Sequence, residues 1–144
     1  MANSDYSAYL ALEPFFGIIQ KGLQGYVDGD HFWDLIAEDA VFEFLYQFPN
    51  WPRAIKGRRA LMEAFLPYGD DMRLSSADHL VVHPGKDPRL VVLEYEVHGT
   101  FLPTGAAYDN RFASIITVEN RKVVHWRDYM DSLAVFTLRT GGRP

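Results

Sequence analysis

LPTGAAYDNRFASIITVENRKVVHWRDYMD, residues 102–131, holds two strands and the turns that frame them. Pro103, Thr104 and Gly105 form the first turn, since proline presets one backbone angle and glycine tolerates the conformations of a tight reversal. Residues 107–119 are rich in β-branched and aromatic side chains and read as a strand. Asn120 and Arg121 reverse the chain, and residues 122–130 form the next strand. Side chains alternate along a strand, so each strand has two faces. Tyr108, Asn110, Phe112, Ser114 and Ile116 share one face, against Asp109, Arg111, Ala113, Ile115 and Thr117. In the next strand Val124, Trp126, Asp128 and Met130 oppose Val123, His125, Arg127 and Tyr129. The first-named face of each strand belongs inside.

One charged group, Asp128, lies on the apolar face of the last strand. A carboxylate among Trp, Met and Val is costly to ionise, and burial raises its pKa. Such a group serves as a general acid or base near neutral pH. The same placement also suits a carboxyl that only binds backbone groups or a buried partner. Asn110, one strand away on the corresponding face, is suited to orient a carbonyl or to stabilise an oxyanion, or else to satisfy backbone. Ser114 is a weaker candidate on that face.

Upstream, residues 89–101 form a strand with Val91, Leu93, Tyr95, Val97 and Gly99 inside and Glu94, Glu96 and His98 outside. A turn at residues 84–88 joins it to a strand at 72–83. Gly57 precedes a helix over 58–66, stopped by Pro67. Pro49, Trp51 and Pro52 mark a loop after a strand at 40–48, whose Phe42, Phe44 and Tyr46 point inward and whose Glu43 and Gln47 point outward. The first helix covers 14–27, with Phe15, Ile19, Leu23 and Tyr26 at helical spacing. Asp30 is placed to cap a short second helix carrying Phe32, Leu35 and Ile36, and a short helix at 133–138 ends the pattern. Helices first and a strand meander second make an α+β fold.

The 144 residues fit one domain spanning 1–144. The aromatic share of 15% exceeds what a minimal core needs, so some rings are expected to line a cavity. The net charge is -5, with no basic run interleaved with aromatics, so nucleic acid is not the expected partner. There is no cysteine, which excludes disulfides and thiol chemistry. With neither a signal-peptide pattern nor a membrane-length apolar run, a soluble, cytoplasmic protein is expected.

Among the histidines, His79 and His83 lie ~13 Å apart at strand rise, and His98 and His125 face outward. No HxH or HxxxH helix pattern is present, so neither a metal nor another cofactor is expected. Glu94, Glu96, Arg111 and Arg127 fit cross-strand pairing on outer faces. Ile115, Val123 and Tyr129 make an apolar outer patch suited to a homodimer surface.

The Leu102-Pro103-Thr104-Gly105 turn, Tyr108 and the ending Trp126-Arg127-Asp128-Tyr129 resemble limonene epoxide hydrolases. More widely, the chain resembles the nuclear-transport-factor-2-like superfamily, including SnoaL-type polyketide cyclases, ketosteroid isomerases and phenazine-biosynthesis A/B proteins. Gly29-Asp30 and Ala37-Glu38-Asp39-Ala40 are similar to segments typical of it. The resemblance implies a single SnoaL-like domain, a cone-shaped, strongly curved antiparallel sheet wrapped by N-terminal helices, and often a dimer. It places Asp128 at the C-terminal catalytic aspartate of the epoxide hydrolases and at the acid/base glutamate of the phenazine proteins. Other positions depart from these patterns. Tyr95 and Val97 stand where the epoxide hydrolases carry an Arg-x-Asp pair, and Phe42 and Phe44 where they hold water. Phe44 also takes the position of the isomerase base. Tyr108-x-Asn110-x-Phe112 most resembles the phenazine proteins, with Met62 in place of their helix histidine.

The residues therefore describe a cofactor-independent acid–base enzyme acting on a small hydrophobic cyclic or polyketide-like molecule. Asp128, Asn110 and Tyr95 carry the chemistry. Phe42, Phe44, Tyr46, Trp51, Phe112, Ser114, Trp126 and Met130 hold the substrate. The alternatives are a non-catalytic binding protein using the same pocket, or an interaction protein with a solid core.

Overall fold

A computed structural model describes residues 6–47 and 49–140. A 3-10 helix, Ser7–Leu12, leads into α1, Glu13–Gly22, with Pro14 in its first turn, where a missing N–H costs nothing. A second 3-10 helix, Phe32–Leu35, precedes β1, Ile36–Phe44. Then come β2 (Ala54–Lys56), α2 (Arg58–Phe65) and α3 (Tyr68–Asp71). The rest is β3 (Met72–Pro84), β4 (Leu90–Phe101), β5 (Ala106–Glu119), β6 (Lys122–Met130) and α4 (Ser132–Thr140).

The strands form one open sheet in the order β2-β1-β6-β5-β4-β3. Neighbours run antiparallel, as expected, except β1 and β6, which run parallel. Register breaks interrupt the β3–β4, β5–β6 and β1–β6 ladders, and an extra residue on one strand bends it and increases its twist. Curvature gives the sheet an inner face. There α1 packs over β3 and β4, α2 over β1, and α4 over β5. Close approach is built in at Gly99, where an added Cβ would collide with the Arg73 carbonyl oxygen of the neighbouring strand.

An aromatic layer joins helices to sheet. Phe16 stacks on Phe32 at 4.6 Å, and Trp126 stacks on Phe42 at 5.1 Å. Phe16, Phe32 and Trp33 are wholly buried, although the Trp33 indole N–H has no hydrogen-bond partner there. Burying such side chains contributes roughly 1.5–3 kcal/mol each.

Several boundaries differ from the sequence reading. The first helix ends at Gly22, five residues before Val27, and its last stretch becomes a turn. The short helix is capped by His31, whose Nδ1 accepts from the Trp33 N–H, and not by Asp30. Ile36 opens β1 instead of belonging to that helix, and β1 stops at Phe44; Phe48 lies outside the described residues. Val123 faces the core with no exposure, contrary to its expected outer position. The cause is the break between Thr117 and Val118. Thr117 pairs with His125 and Val118 with Val123, leaving Val124 as an extra residue that returns Val123 to the face of Trp126. Of the expected outer apolar patch, Ile115 is half-buried and Tyr129 is exposed.

Candidate functional site

Between the inner face and the helices lies a cavity of about 380 Å³. Phe44, Phe112, Asp128 and Met130 line it from the sheet, Leu12 and Phe15 from the N-terminal helices, and Ala64, Phe65 and Tyr68 from α2 and α3. Tyr46 and Trp51 close one side from the loop after β1, and Val135 and Arg139 contribute from α4. Arg139 pairs with Asp71 at 3.1 Å, tying α4 to α3 beside the cavity.

Asp128 sits on β6 opposite Ser114 of β5 and beside Phe44 of β1. It is 8% exposed. Its Oδ1 accepts hydrogen bonds from the Ser114 hydroxyl at 2.8 Å and from the Trp126 indole N–H at 3.0 Å. The Tyr95 hydroxyl lies 2.8 Å from Ser114 Oγ. Because a carboxylate only accepts, Ser114 donates to Asp128 and Tyr95 donates to Ser114. Oδ2 accepts nothing from the described residues, while Asp128 lines the cavity. Burial pushes the carboxyl up to about 6, against the opposing hydrogen bonds from Trp126 and Ser114.

Three phenols surround the same space: Tyr46, Tyr68 and Tyr108 all line the cavity. Burial raises each of them, that of Tyr108 to about 12, so all are O–H donors at neutral pH. The negative charge of Asp128 adds to the rise of Tyr46 and Tyr108, and the rise of Tyr68 includes contributions from Tyr108 and Tyr46. The Tyr108 oxygen accepts from Asn110 Nδ2 at 2.8 Å, which leaves its own proton available. Tyr46 and Tyr68 donate to none of the described residues. The Trp51 indole N–H makes no hydrogen bond of good geometry, yet it lies near enough to Tyr46 to oppose that phenol's rise.

The structure divides the expected site residues into two layers. Phe44, Tyr46, Trp51, Phe112, Asp128 and Met130 line the cavity. Phe42, Tyr95, Asn110, Ser114 and Trp126 stand behind it. Tyr95 stacks on Phe112 at 5.3 Å and reaches Asp128 only through Ser114. Asn110 spends its amide on Tyr108 and on Met130 Sδ, and its carbonyl on the Arg111 N–H, so it orients Tyr108 instead of facing a ligand. The sequence reading placed Tyr108 inside without giving it a role, and it missed Tyr68. Pro67 was read as a stop, but it caps the short helix that carries Tyr68.

On the outer face, ligand atoms of Asp78, Glu96 and His98 lie within 4.8 Å of one another. Both ring nitrogens of His98 already meet carboxylates, Asp109 at 2.6 Å and Asp78 at 2.8 Å. This charged strip is separate from the cavity lining.

Residues 24–126 match the SnoaL-like domain model. An uncharacterized Bacillus subtilis (strain 168) protein, YesE, is 29% identical over 118 residues, which cover 82% of this chain and 76% of that protein. The solved structure of a candidate isomerase from Bacillus subtilis is 25% identical, with a TM-score of 0.73 over 98% of each chain. A phenazine biosynthesis-related protein from Pseudomonas aeruginosa shares the fold at 18% identity, with a TM-score of 0.64 over 100% of this chain and 90% of that one. The chain belongs to the SnoaL-like domain family.

Proposed function

We propose that the protein is a cofactor-independent acid–base enzyme, of the isomerase, cyclase, condensing or hydratase type. Its substrate is a small hydrophobic cyclic or polyketide-like molecule enclosed by Phe44, Tyr46, Trp51, Phe112 and Met130. One observation carries the reading. The carboxyl of Asp128 has Oδ1 fixed by two donors and Oδ2 open to a mostly apolar cavity, with its pKa raised to about 6 by burial. A carboxylate in that state takes a proton from carbon near neutral pH and returns it as the carboxylic acid. Tyr95 and Ser114 position it through their hydrogen-bond chain. The family membership supports a small-molecule-processing enzyme without choosing the reaction.

The test is deuterium exchange. Cyclic enones and cyclic 1,3-diketones are incubated with the protein in D2O, and loss of carbon-bound proton signal is followed by NMR. Exchange is expected to rise with pH, half-maximal near 6, and to vanish in Asp128→Asn. Exchange unchanged in that variant would sink the proton-transfer role.

A second reading, ligand holding without turnover, draws on Phe42, Phe44 and Val97, which stand where the enzymes it resembles carry polar groups. It predicts saturable binding of the same compounds with no exchange above the buffer rate.

A further inference from the structure

Four side chains on the outer face of the sheet, away from the cavity, turn metal-ligating atoms toward one another. Asp78 of β3 stands directly opposite Glu96 of β4, and His98 follows Glu96 on the same face. One ligand atom from each of these three lies within 4.8 Å of the others. His79 joins them through the break in the β3–β4 ladder. Asp78 pairs with Glu96 and Val81 with Glu94, so His79 and Leu80 stand against Tyr95 alone. Within that bulge His79 has a φ of 56°, in the left-handed region that few residues other than glycine adopt. On an unbroken strand, consecutive side chains point to opposite faces. Here the bulge brings His79 round to the side of Asp78, with its Nδ1 2.8 Å from Asp78 Oδ1 and 3.8 Å from Glu96 Oε2.

The His98 ring is oriented as a ligand. Its Nε2 points at Asp78 Oδ1 at 2.8 Å, and its Nδ1 meets Asp109 on the far side at 2.6 Å. A metal-bound imidazole characteristically gives its other ring N–H to a carboxylate, which fixes the tautomer and makes the ligating nitrogen more basic. Asp109, opposite His98 on β5, holds that place and is not itself one of the ligand groups. The charge balance points the same way. Asp78, Glu96 and Asp109 are three carboxylates, and among the described residues their ion-pair partners are the imidazoles of His79 and His98, with no Lys or Arg. Lys21 lines a groove beside Asp78 and His79 and forms no ion pair with Asp78.

We propose that Asp78, His79, Glu96 and His98 bind one divalent transition-metal ion of the class to which Zn2+ belongs, with Asp109 positioning His98. Donors around a tetrahedral Zn2+ stand ~3.4 Å apart when its bonds are ~2.0–2.1 Å long. Spacings of 2.8 and 3.8 Å therefore need only modest side-chain rotations to close around an ion. Two imidazoles with two carboxylates suit zinc better than Mg2+ or Ca2+, which prefer oxygen ligands. Without the ion, a proton on His98 Nε2 takes its place against Asp78. No His-rich spacing announces the site in the sequence, because pairing of β3 with β4 and a bulge assemble it. The site makes no use of Asp128 and is independent of the acid–base reading. Since β3 is the outermost strand, the ion fastens that edge to β4 where their ladder is broken.

Zinc chloride is the probe. Calorimetric titration near neutral pH follows chelator-treated wild type, His98→Gln, His79→Gln and Asp109→Asn. His83→Gln is the control, since His83 pairs with Glu94 at 2.6 Å outside the cluster. The expected result is one Zn2+ per chain at low-micromolar or tighter affinity. Affinity should fall about a hundredfold in His98→Gln and about tenfold in His79→Gln and Asp109→Asn, and stay unchanged in His83→Gln. Zinc should also raise the thermal midpoint of wild type but not of His98→Gln, because an ion that binds only the folded chain stabilises it. Circular dichroism without metal checks folding. His79 and Asp109 are exposed, so their variants keep the test open should His98→Gln fail to fold. No zinc binding at micromolar concentrations would overturn the proposal, and so would equal affinity in wild type and the three cluster variants. An equal loss in His83→Gln would replace the single site with scattered surface histidines. Displacement of zinc by equimolar Mg2+ would remove the transition-metal assignment.

Discussion

The Asp128 carboxyl is held at a cost to the fold. Its folded pKa of about 6 exceeds the free value of ~3.9, and burial is the main cause. Below pH ~4 both folded and unfolded chains carry the proton, and the site costs nothing. As pH rises toward 6, the unfolded chain has released its proton and the folded one has not, so stability falls across that window. Asparagine resembles the protonated form and can still accept from Trp126 and Ser114. Asp128→Asn is therefore expected to be more stable than wild type at pH 8, by about 1–3 kcal/mol, and no more stable at pH 4. Urea unfolding at the two pH values measures this; equal stabilities at pH 8 would mean that the carboxylate is better solvated than its surroundings imply. The aspartate was legible in the sequence because it alone is charged on an apolar face. Its layer of support was less so. Alternation told that Tyr95, Asn110 and Ser114 point inward, but not how deep each one stops. Depth depends on which side chains stand between a residue and the cavity, and that is a property of all the elements together.

Strands that alternate cleanly, such as β4 and β5, were readable because one face is buried and a period of two cannot be mistaken for a helix. Errors fell where an extra residue or a cap intervened. Val123 was misplaced because a bulge reverses parity and leaves no composition signal. Tyr68 was missed because proline stops one helix and starts another with equal ease. The three residues of β2 carry no strand signal of their own, since so short an edge strand is defined by its pairing with β1. Gly99 shows how tightly β3 and β4 approach: a Cβ there would also sit 2.8 Å from Leu74 Cα. Both clashes are with backbone, which cannot rotate away. Gly99→Ala is expected to cost about 1–3 kcal/mol, read as a lowered thermal midpoint with the pH dependence of exchange unchanged.

Across the whole molecule, ionisable groups on the two faces of the sheet respond to pH differently. Inside, stability falls as Asp128 is forced to ionise. Outside, His98 lies between Asp109 and Asp78, and hydrogen bonds to both raise its pKa, as the bond to Asp78 raises that of His79. Glu96 also faces His79, at 3.8 Å. The contribution of His98 is full below the free imidazole value of ~6.5 and fades as pH rises through its folded pKa. Asp78, lowered by hydrogen bonds from His79 and His98, contributes above ~3.8 and loses its contribution as pH falls through its lower folded pKa. His98→Gln should therefore lower the thermal midpoint more at pH 6 than at pH 9; an equal drop at both would mean that the imidazole acts through packing, not charge. These are solvent-exposed pairs and the expected effect is small.

The extra residue in β6 separates two things that strands usually tie together, which way a side chain looks and how far the ribbon bends. With Val124 set aside, the order Val123, His125, Trp126, Arg127, Asp128 alternates in and out without interruption. Val124 therefore leaves the cast of the inner wall alone and alters only its shape. Related chains could widen or narrow the chamber by gaining or losing one amino acid there, keeping every chemical group on its own side.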